Sequence, residues 1–504
     1  MHYVSTRGEK TDIFAAAAIV QGIAADGGLF IPTEIPAFSL DELKSLAPLS
    51  YQERAIRLLG LFLTDYTPEE ITACVKAAYS AEKFASSAVA PLKTLKEKLH
   101  VLELWHGPTS AFKDMALQLL PRLLSTALKK TGEKSEIVIL VATSGDTGKA
   151  ALEGFKDVDQ IRVLVFYPAK GVSEIQRLQM VTQEGGNVTV AAVLGNFDDT
   201  QTGVKKIFTD KKFQELLAGE GYKLSSANSI NWGRLVPQIV YYFSAYADLL
   251  AANQIQAGEK VNFVVPTGNF GNILAGYYAK CMGLPVNRLI CASNSNNVLA
   301  DFLQTGTYDK RREFYKTLSP SMDIVISSNL ERLLYLVSGQ NAKKVAAWMN
   351  ELNTQGVYEV DPDTLAKIQE TFSAEWVNDE GTLDTIGRVY QETGYVVDTH
   401  TAVAWQAAEK YRQATADGAQ CVIVSTASPF KFNASVLSAL TKPDEKELTA
   451  LSEFEILRRL STFTKWPVPT ALAELENKEI RHTAVFPVSG MPAAVRACLN
   501  MDLE

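Results

Sequence analysis

In the stretch LWHGPTSAFKDMALQLL, residues 104–120, one lysine stands where an apolar helix should begin. The N-terminal end of a helix dipole is positive and favours carboxylates, a rule that Asp114 obeys and Lys113 does not. Most lysines are solvated surface charges. The alternative is chemistry that needs an amine, as nucleophile or base, with a pKa lowered by burial. Three further stretches are small, polar and able to present backbone N–H groups: TSGDTG (143–148), TGNFGN (267–272) and TASPFKF (426–432). In the second, Gly268 and Gly271 would let the backbone approach a ligand, and Asn269, Phe270 and Asn272 lead into the helix pattern ILAGYYAKCMG. Free N–H groups and a positive dipole end make such a turn a phosphate cradle. A plain strand-to-helix turn capped by Asn explains the same residues, and an ordinary N-cap by Ser144 or Asp146 explains TSGDTG taken alone. An amine, a phosphate cradle and hydroxyl-bearing loops together are what pyridoxal phosphate requires. His106 and His400 read as packed, hydrogen-bonded histidines rather than proton donors.

These residues need a frame. SEIVILVATS, IRVLVFYP, NVTVAAVL, KVNFVVPTGN, RLICASN and QCVIVSTAS read as buried strands, and helical stretches such as GKAALEGF and PQIVYYFSAYADLLAA lie between them. That alternation predicts an α/β fold with largely parallel sheet, whose ligands gather at the carboxyl ends of the strands. The loops above follow three of these strands. Residues 1–95 pattern as helices, with Thr67 and Glu70 forming a capping box. Residues 301–394 break the alternation and read as a helical insertion in a core spanning 96–444; residues 445–504 are helical, then short and mixed.

The composition excludes several classes of function. The chain is 504 residues long and 47% hydrophobic, enough for a large core. Its net charge of −8, without a dense basic run, argues against nucleic acid or an anionic membrane as partner. Five scattered cysteines, none in a C-x-x-C pair, argue against a disulfide framework or a metal site and for the reducing cytoplasm. IFAAAAIVQGIAA looks like a signal-peptide core, but Glu9 and Asp12 dilute the basic flank, and a buried helix is the better reading.

At this point the motifs match a family. YVSTRG, GIAADGGLFIP, HGPTSAFKD, ATSGDTG, SANSINWGR, PTGNFGN, SPSMDIVISSNLERLL, GYVVDTHTAVAW and STASPFKF occur in that order, and the chain resembles the threonine synthase family, in its long yeast and proteobacterial branch. The resemblance implies the tryptophan-synthase-β-like fold (fold type II): two open α/β subdomains, a helical N-terminal domain and the insertion. It implies pyridoxal 5'-phosphate as cofactor and conversion of O-phospho-L-homoserine and water to L-threonine and phosphate. Carried over, Lys113 is the Schiff-base lysine, 268–272 hold the cofactor phosphate, and Thr426 faces the pyridine nitrogen. Asn228, Ser229 and Arg234 bind the substrate phosphate, and Ser144, Gly145, Asp146 and Thr147 surround the substrate carboxylate and phosphate. A monomer or a homodimer is implied. Ser428 and Thr399 depart from residues common in the family, and Pro121 falls inside the helix expected after Lys113, where it would force a kink or a restart. A related pyridoxal-phosphate lyase or dehydratase, lacking the NSINWGR pattern, and a non-catalytic phospho-ligand binder, with no need for Lys113, remain the rival readings.

Overall fold

The Val- and Ile-rich runs become strands of two separate sheets. In the computed structural model, which describes residues 1–501 except 10, 11, 144, 171 and 444, the first sheet has six strands. Their order is Phe372–Trp376, Val286–Ser293, Val261–Pro266, Gln420–Ser425, Leu99–Glu103 and Leu92–Lys96. All neighbours are parallel except the last pair. Ile423 lies opposite both Val264 and Val101, which brings three strand ends to one edge. The second sheet is wholly parallel, in the order Val485–Pro487, Val188–Leu194, Ile161–Pro168, Glu136–Ala142 and Tyr222–Ser225. Strands 261–266 and 420–425 are buried at every residue, as a sheet covered by helices on both faces requires.

Helix Trp232–Ala251 is apolar almost all round, so it must be enclosed. It packs against Gly271–Cys281 on one side and against the N-terminal helices Leu40–Leu46 and Tyr51–Phe62 on another. The N-terminal region adds helices Ala15–Gln21 and Pro68–Ala78 and the antiparallel pair Tyr3–Ser5/Phe30–Pro32. Of the run IFAAAAIVQ, Ala15–Gln21 form a helix that buries Ala15, Ala16, Ala18, Ile19 and Val20, while Phe14 is exposed and Ile13 bridges to Tyr3. Thr67 and Glu70 form the expected capping box, and Ser39–Glu42 and Ser50–Glu53 form two more. Among the described residues no helix is long and apolar enough to cross a membrane.

Three features differ from the sequence reading. Strand Leu99–Glu103 runs into the Lys113 stretch, and its five buried residues were too few to stand out. Residues 301–394 are not helical throughout. Besides helices Leu330–Val337, Ala342–Thr354, Pro362–Gln369 and Asp379–Thr393, they hold the antiparallel pair Thr307–Asp309/Val357–Glu359 and the edge strand Phe372–Trp376. That strand, FSAEW, buries only Phe372 and Ala374, so it carries no apolar run. The C-terminal segment is not separate either: Val485–Pro487 extends the second sheet, and Met491 and Val495 pack among Val138, Leu140 and Leu164. The boundary residue 444 lies outside the described residues.

Pro121 causes no kink, because the chain restarts. Helix Asp114–Leu117 ends after four residues, and helix Leu120–Thr131 begins with Pro121 in its first turn, where the missing N–H costs nothing. The short helix rests on 232–251 and on helix Asp146–Phe155. There Gly154 permits a close approach: a Cβ on it would lie 1.9 Å from the Leu117 carbonyl oxygen. Gly154→Ala should therefore push the Lys113 turn aside and cost about 1–3 kcal/mol of stability. Urea unfolding checks this; an unchanged midpoint would mean that the helices do not meet there.

Candidate active site

Glu103, Pro266 and Ser425 end neighbouring parallel strands, and the loops that follow are tied together. Leu104 N–H donates to the Ser425 carbonyl at 3.0 Å, Phe112 N–H to the Thr426 carbonyl at 2.7 Å, and Ser428 N–H to the Ser110 carbonyl at 3.0 Å. The Lys113 loop is thereby strapped to the Thr426 loop. Lys113 caps a helix of only four residues, so few peptide dipoles are aligned to oppose its charge.

The Lys113 ammonium is buried among charges. Asp146 Oδ2 lies 3.9 Å from Nζ, and Ser321 Oγ accepts from it at 3.2 Å. Burial lowers the Lys113 pKa to about 8; Asp146 works against this, while Lys431 and Arg234 add to it. Lys431 is wholly buried, 2.7 Å from Asp146 Oδ1, and donates to the Thr109 carbonyl at 2.9 Å. Burial raises the Asp146 pKa, but Lys431 and then Lys113 outweigh it and hold the carboxyl well below the usual range. Gln176 Nε2 donates to the same oxygen at 3.0 Å. Asp146 was expected beside the substrate carboxylate and phosphate. Its oxygens already face two ammonium groups, so it suits the role of counter-charge to lysines rather than anion ligand. The nearby Asp114 is occupied by the Thr109 N–H and hydroxyl, both at 2.8 Å, and burial pushes its pKa up to about 7.

The first turn of helix 146–155 is shaped by Thr143, whose Oγ1 accepts from Gly145 and Gly148 N–H, each at 3.0 Å. Gly145 is the N-cap, with φ +151°, and a Cβ there would lie 2.5 Å from Gln176. Asp146 does not fill the N-cap position, and Ser144 lies outside the described residues. Thr147 is half-buried on the same turn.

The TGNFGN turn fits a phosphate. Phe270 is the N-cap of helix 271–281 at φ +62°, left-handed backbone that is uncommon for a bulky residue and concentrated at functional sites. Its ring, packed against Phe372 at 5.6 Å, holds it there. A Cβ on Gly268 would lie 2.6 Å from the Ser321 carbonyl oxygen. Gly271 begins the helix, and Asn269 is exposed at the rim. The Asn272 Oδ1 lies 2.7 Å from the hydroxyls of both Tyr241 and Tyr242, which turns its Nδ2 the other way, buried and without a partner. An orphaned donor at a helix N-terminus is what a phosphate oxygen would satisfy.

Arg234 carries a second unsatisfied donor, this one on a cation. It is buried; Nη1 donates to the Ala227 carbonyl at 2.8 Å, Nε has no partner, and among the described residues no carboxylate pairs with it. Burial lowers its pKa to about 10. Asn228 is exposed, and Ser229 meets Ser328 at 3.4 Å, which in turn donates to Asn269 Oδ1 at 3.3 Å. The two predicted phosphate loops thus adjoin. The Thr426 side chain is buried and its hydroxyl has no hydrogen bond to protein among the described residues. Ser428 caps the turn Pro429–Phe432, accepting from Phe430 N–H at 3.4 Å. Thr399, the other departure, is fully buried in the first turn of helix Thr399–Thr415.

His106 is packed as expected: it lies 2.7 Å from Glu103 Oε2 and stacks on Trp105 at 4.3 Å. His400 is hydrogen-bonded too, but closer to the chemistry. Its Nε2 accepts from Ser321 N–H at 3.2 Å and its Nδ1 donates to Asp398 at 2.9 Å, a pattern that requires the neutral ring. The sequence reading missed Ser321 and Lys431. For Lys431 the signal was available, a lysine between two phenylalanines; Ser321 lies in SPSMDIVISSNLERLL, a motif that gave no role to its individual residues.

Lys431→Met should raise the Lys113 pKa above about 8, since it removes a neighbouring cation and leaves Asp146 to Lys113 alone. The amine condenses when neutral, so the rate of pyridoxal-phosphate capture by cofactor-free protein should rise with pH near 8 and shift to higher pH in the variant. An unshifted midpoint would mean that the two lysines are not coupled.

Residues 2–79 match the family described as threonine synthase N terminus, 86–427 pyridoxal-phosphate dependent enzyme, and 401–495 threonine synthase, C-terminal. The threonine synthase of Pseudomonas aeruginosa is 42% identical over 440 residues, 87% of this chain and 90% of that protein. Human threonine synthase-like 1 is 42% identical over 454 residues, 88% of this chain, which spans only 60% of that longer protein. A pyridoxal-phosphate-bound threonine synthase from Brucella melitensis superposes with a TM-score of 0.86 at 37% identity, covering 99% of both chains. The chain belongs to the threonine synthase family of pyridoxal-phosphate dependent enzymes.

Proposed function

We propose that this protein converts O-phospho-L-homoserine and water to L-threonine and phosphate, with pyridoxal 5'-phosphate as cofactor, in the cytoplasm. The observation that carries the reading is Arg234: a buried guanidinium with a free Nε and, among the described residues, no carboxylate partner, close enough to Lys113 to lower its pKa. Such a cation calls for an anion from outside, beside the amine. The second orphaned donor, Asn272 Nδ2, supports a separate phosphate at the 268–272 turn. Two phosphates flanking one lysine suit a phosphorylated cofactor and a phosphorylated substrate.

When bound, pyridoxal phosphate supplies an aldehyde for the amine and an electron sink for charge developing at the substrate Cα. Lys113, with its pKa near 8, gives up its proton readily and is suited to take protons from Cα and Cβ and to return them. Asp146 and Lys431 set that pKa from one side. Arg234 grips the phosphate that leaves Cγ, its planar fork matching two oxygens at once. Asn228 and Ser229 line the same loop. Gly268 to Asn272 hold the cofactor phosphate, and the Thr426 hydroxyl is assigned to the pyridine nitrogen. Gly145 and Thr147 border the substrate; Ser144, expected with them, lies outside the described residues. Five unpaired cysteines accord with a reducing compartment.

Phosphate release and threonine formation from O-phosphohomoserine, measured together, test the reading. Arg234→Ala should raise the KM for the substrate by about ten- to a hundredfold, the loss of roughly 1.5–3 kcal/mol of charge-assisted bonding, with cofactor affinity little changed. If cofactor affinity falls and KM holds, Arg234 belongs to the cofactor phosphate instead.

A further inference from the structure

We propose that Arg332 is a positioning residue that fixes the cofactor-phosphate loop against the substrate-phosphate loop, and that the N-terminal region holds it in place. The inference rests on the reading just given for the two loops. Arg332 is fully buried and reaches three segments at once. Its Nε donates to the Phe30 carbonyl at 3.0 Å, Nη1 to Asn329 Oδ1 at 2.6 Å, and Nη2 to the Ile230 carbonyl at 2.6 Å. Ile230 lies in the loop that leads into helix 232–251, whose first turn carries Arg234. Asn329 passes the connection on: its N–H and its Nδ2 both donate to the Asn269 carbonyl, at 3.1 and 3.0 Å. One rigid, planar group therefore links both loops to the N-terminal region.

Its neighbours reinforce the link. Ser327 Oγ donates to the Gly268 carbonyl at 2.8 Å. Glu331 accepts from Thr6 Oγ1 at 2.6 Å and from Arg7 Nε and Nη2 at 2.9 and 2.8 Å, a fork-on-fork pair. Asn231, next to Ile230, donates to the Ile19 carbonyl at 3.0 Å. A packed hydrophobe could fill the Arg332 site without burying a charge. It could not bind three oxygens from three segments in fixed directions. The bonds run where precision matters, because small displacements of a gripping group cost rate and affinity steeply.

The test uses the full-length holoenzyme and its cofactor-free form, with Arg332→Met, Arg332→Lys and Arg7→Ala. Pyridoxal-phosphate affinity is read by absorbance titration, KM and kcat by phosphate release, and folding by circular dichroism and thermal melting. Both the cofactor Kd and the substrate KM should rise roughly three- to thirtyfold in Arg332→Met. Arg332→Lys should recover part of both losses, and Arg7→Ala should move both in the same direction by less. Variants that melt lower but keep both affinities within twofold of the parent would reduce Arg332 to a packing residue and overturn the proposal. A change in only one affinity would overturn the coupling. If Arg332→Met does not fold, the lysine variant and Arg7→Ala, whose partner pair is partly exposed, decide by the same criteria. Should the parent bind the cofactor yet leave O-phosphohomoserine untouched, the proposed substrate falls. Arg332 is then judged by cofactor titration and by competition with inorganic phosphate.

Discussion

An excess of buried positive charge governs this molecule. Buried Lys113 lies within electrostatic reach of Lys431 and Arg234, both buried too, and the Asp146 carboxylate answers the two lysines. Asp114 is adjacent, but burial brings its pKa to about 7 and its oxygens are taken by Thr109. Buried charges are costly unless paired. Helix 232–251, the loops of both sheets and the short turn after Lys113 enclose the surplus, so the packing of the rest of the fold must offset its cost. The same surplus makes the cleft a place for phosphates and gives Lys113 a pKa at which it exchanges protons readily.

Two parallel sheets supply the enclosure. The strand ends at Glu103, Pro266 and Ser425 converge by register, and strand 136–142 brings TSGDTG from the second sheet. Neither sheet alone holds both partners of the Lys113–Asp146 contact. The segment 319–332 then reaches over the gap. Ser321 meets Lys113 and His400, and Ser327, Ser328 and Asn329 meet the 268–272 turn. What reads as an insertion is structurally part of the cleft wall.

The legible elements were those whose signal is local. Six apolar runs became strands because a doubly covered strand must be apolar throughout, and the capping box at Thr67 needs only residues three apart. The elements that escaped lack such a signal. Strand 372–376 alternates at a sheet edge, Leu99–Glu103 is short, and Val485–Pro487 is half exposed although it extends a sheet begun 350 residues earlier. Pro121 read as a disturbance because a continuous helix was assumed; the restart removes the conflict.

By itself the sequence determined the alternating α/β frame, the lysine at a strand-end turn, the glycine-bearing cradle and the order of motifs that marks the family. Each follows from side-chain type and spacing along the chain. Tertiary structure alone decided the electrostatics. That Asp146 faces lysines, that Lys431 lies near Lys113 although 318 positions separate them, and that Arg234 has no carboxylate partner among the described residues are facts of proximity between distant segments. Burial and partner geometry, the quantities that set a pKa or orphan a donor, exist only once those segments have packed.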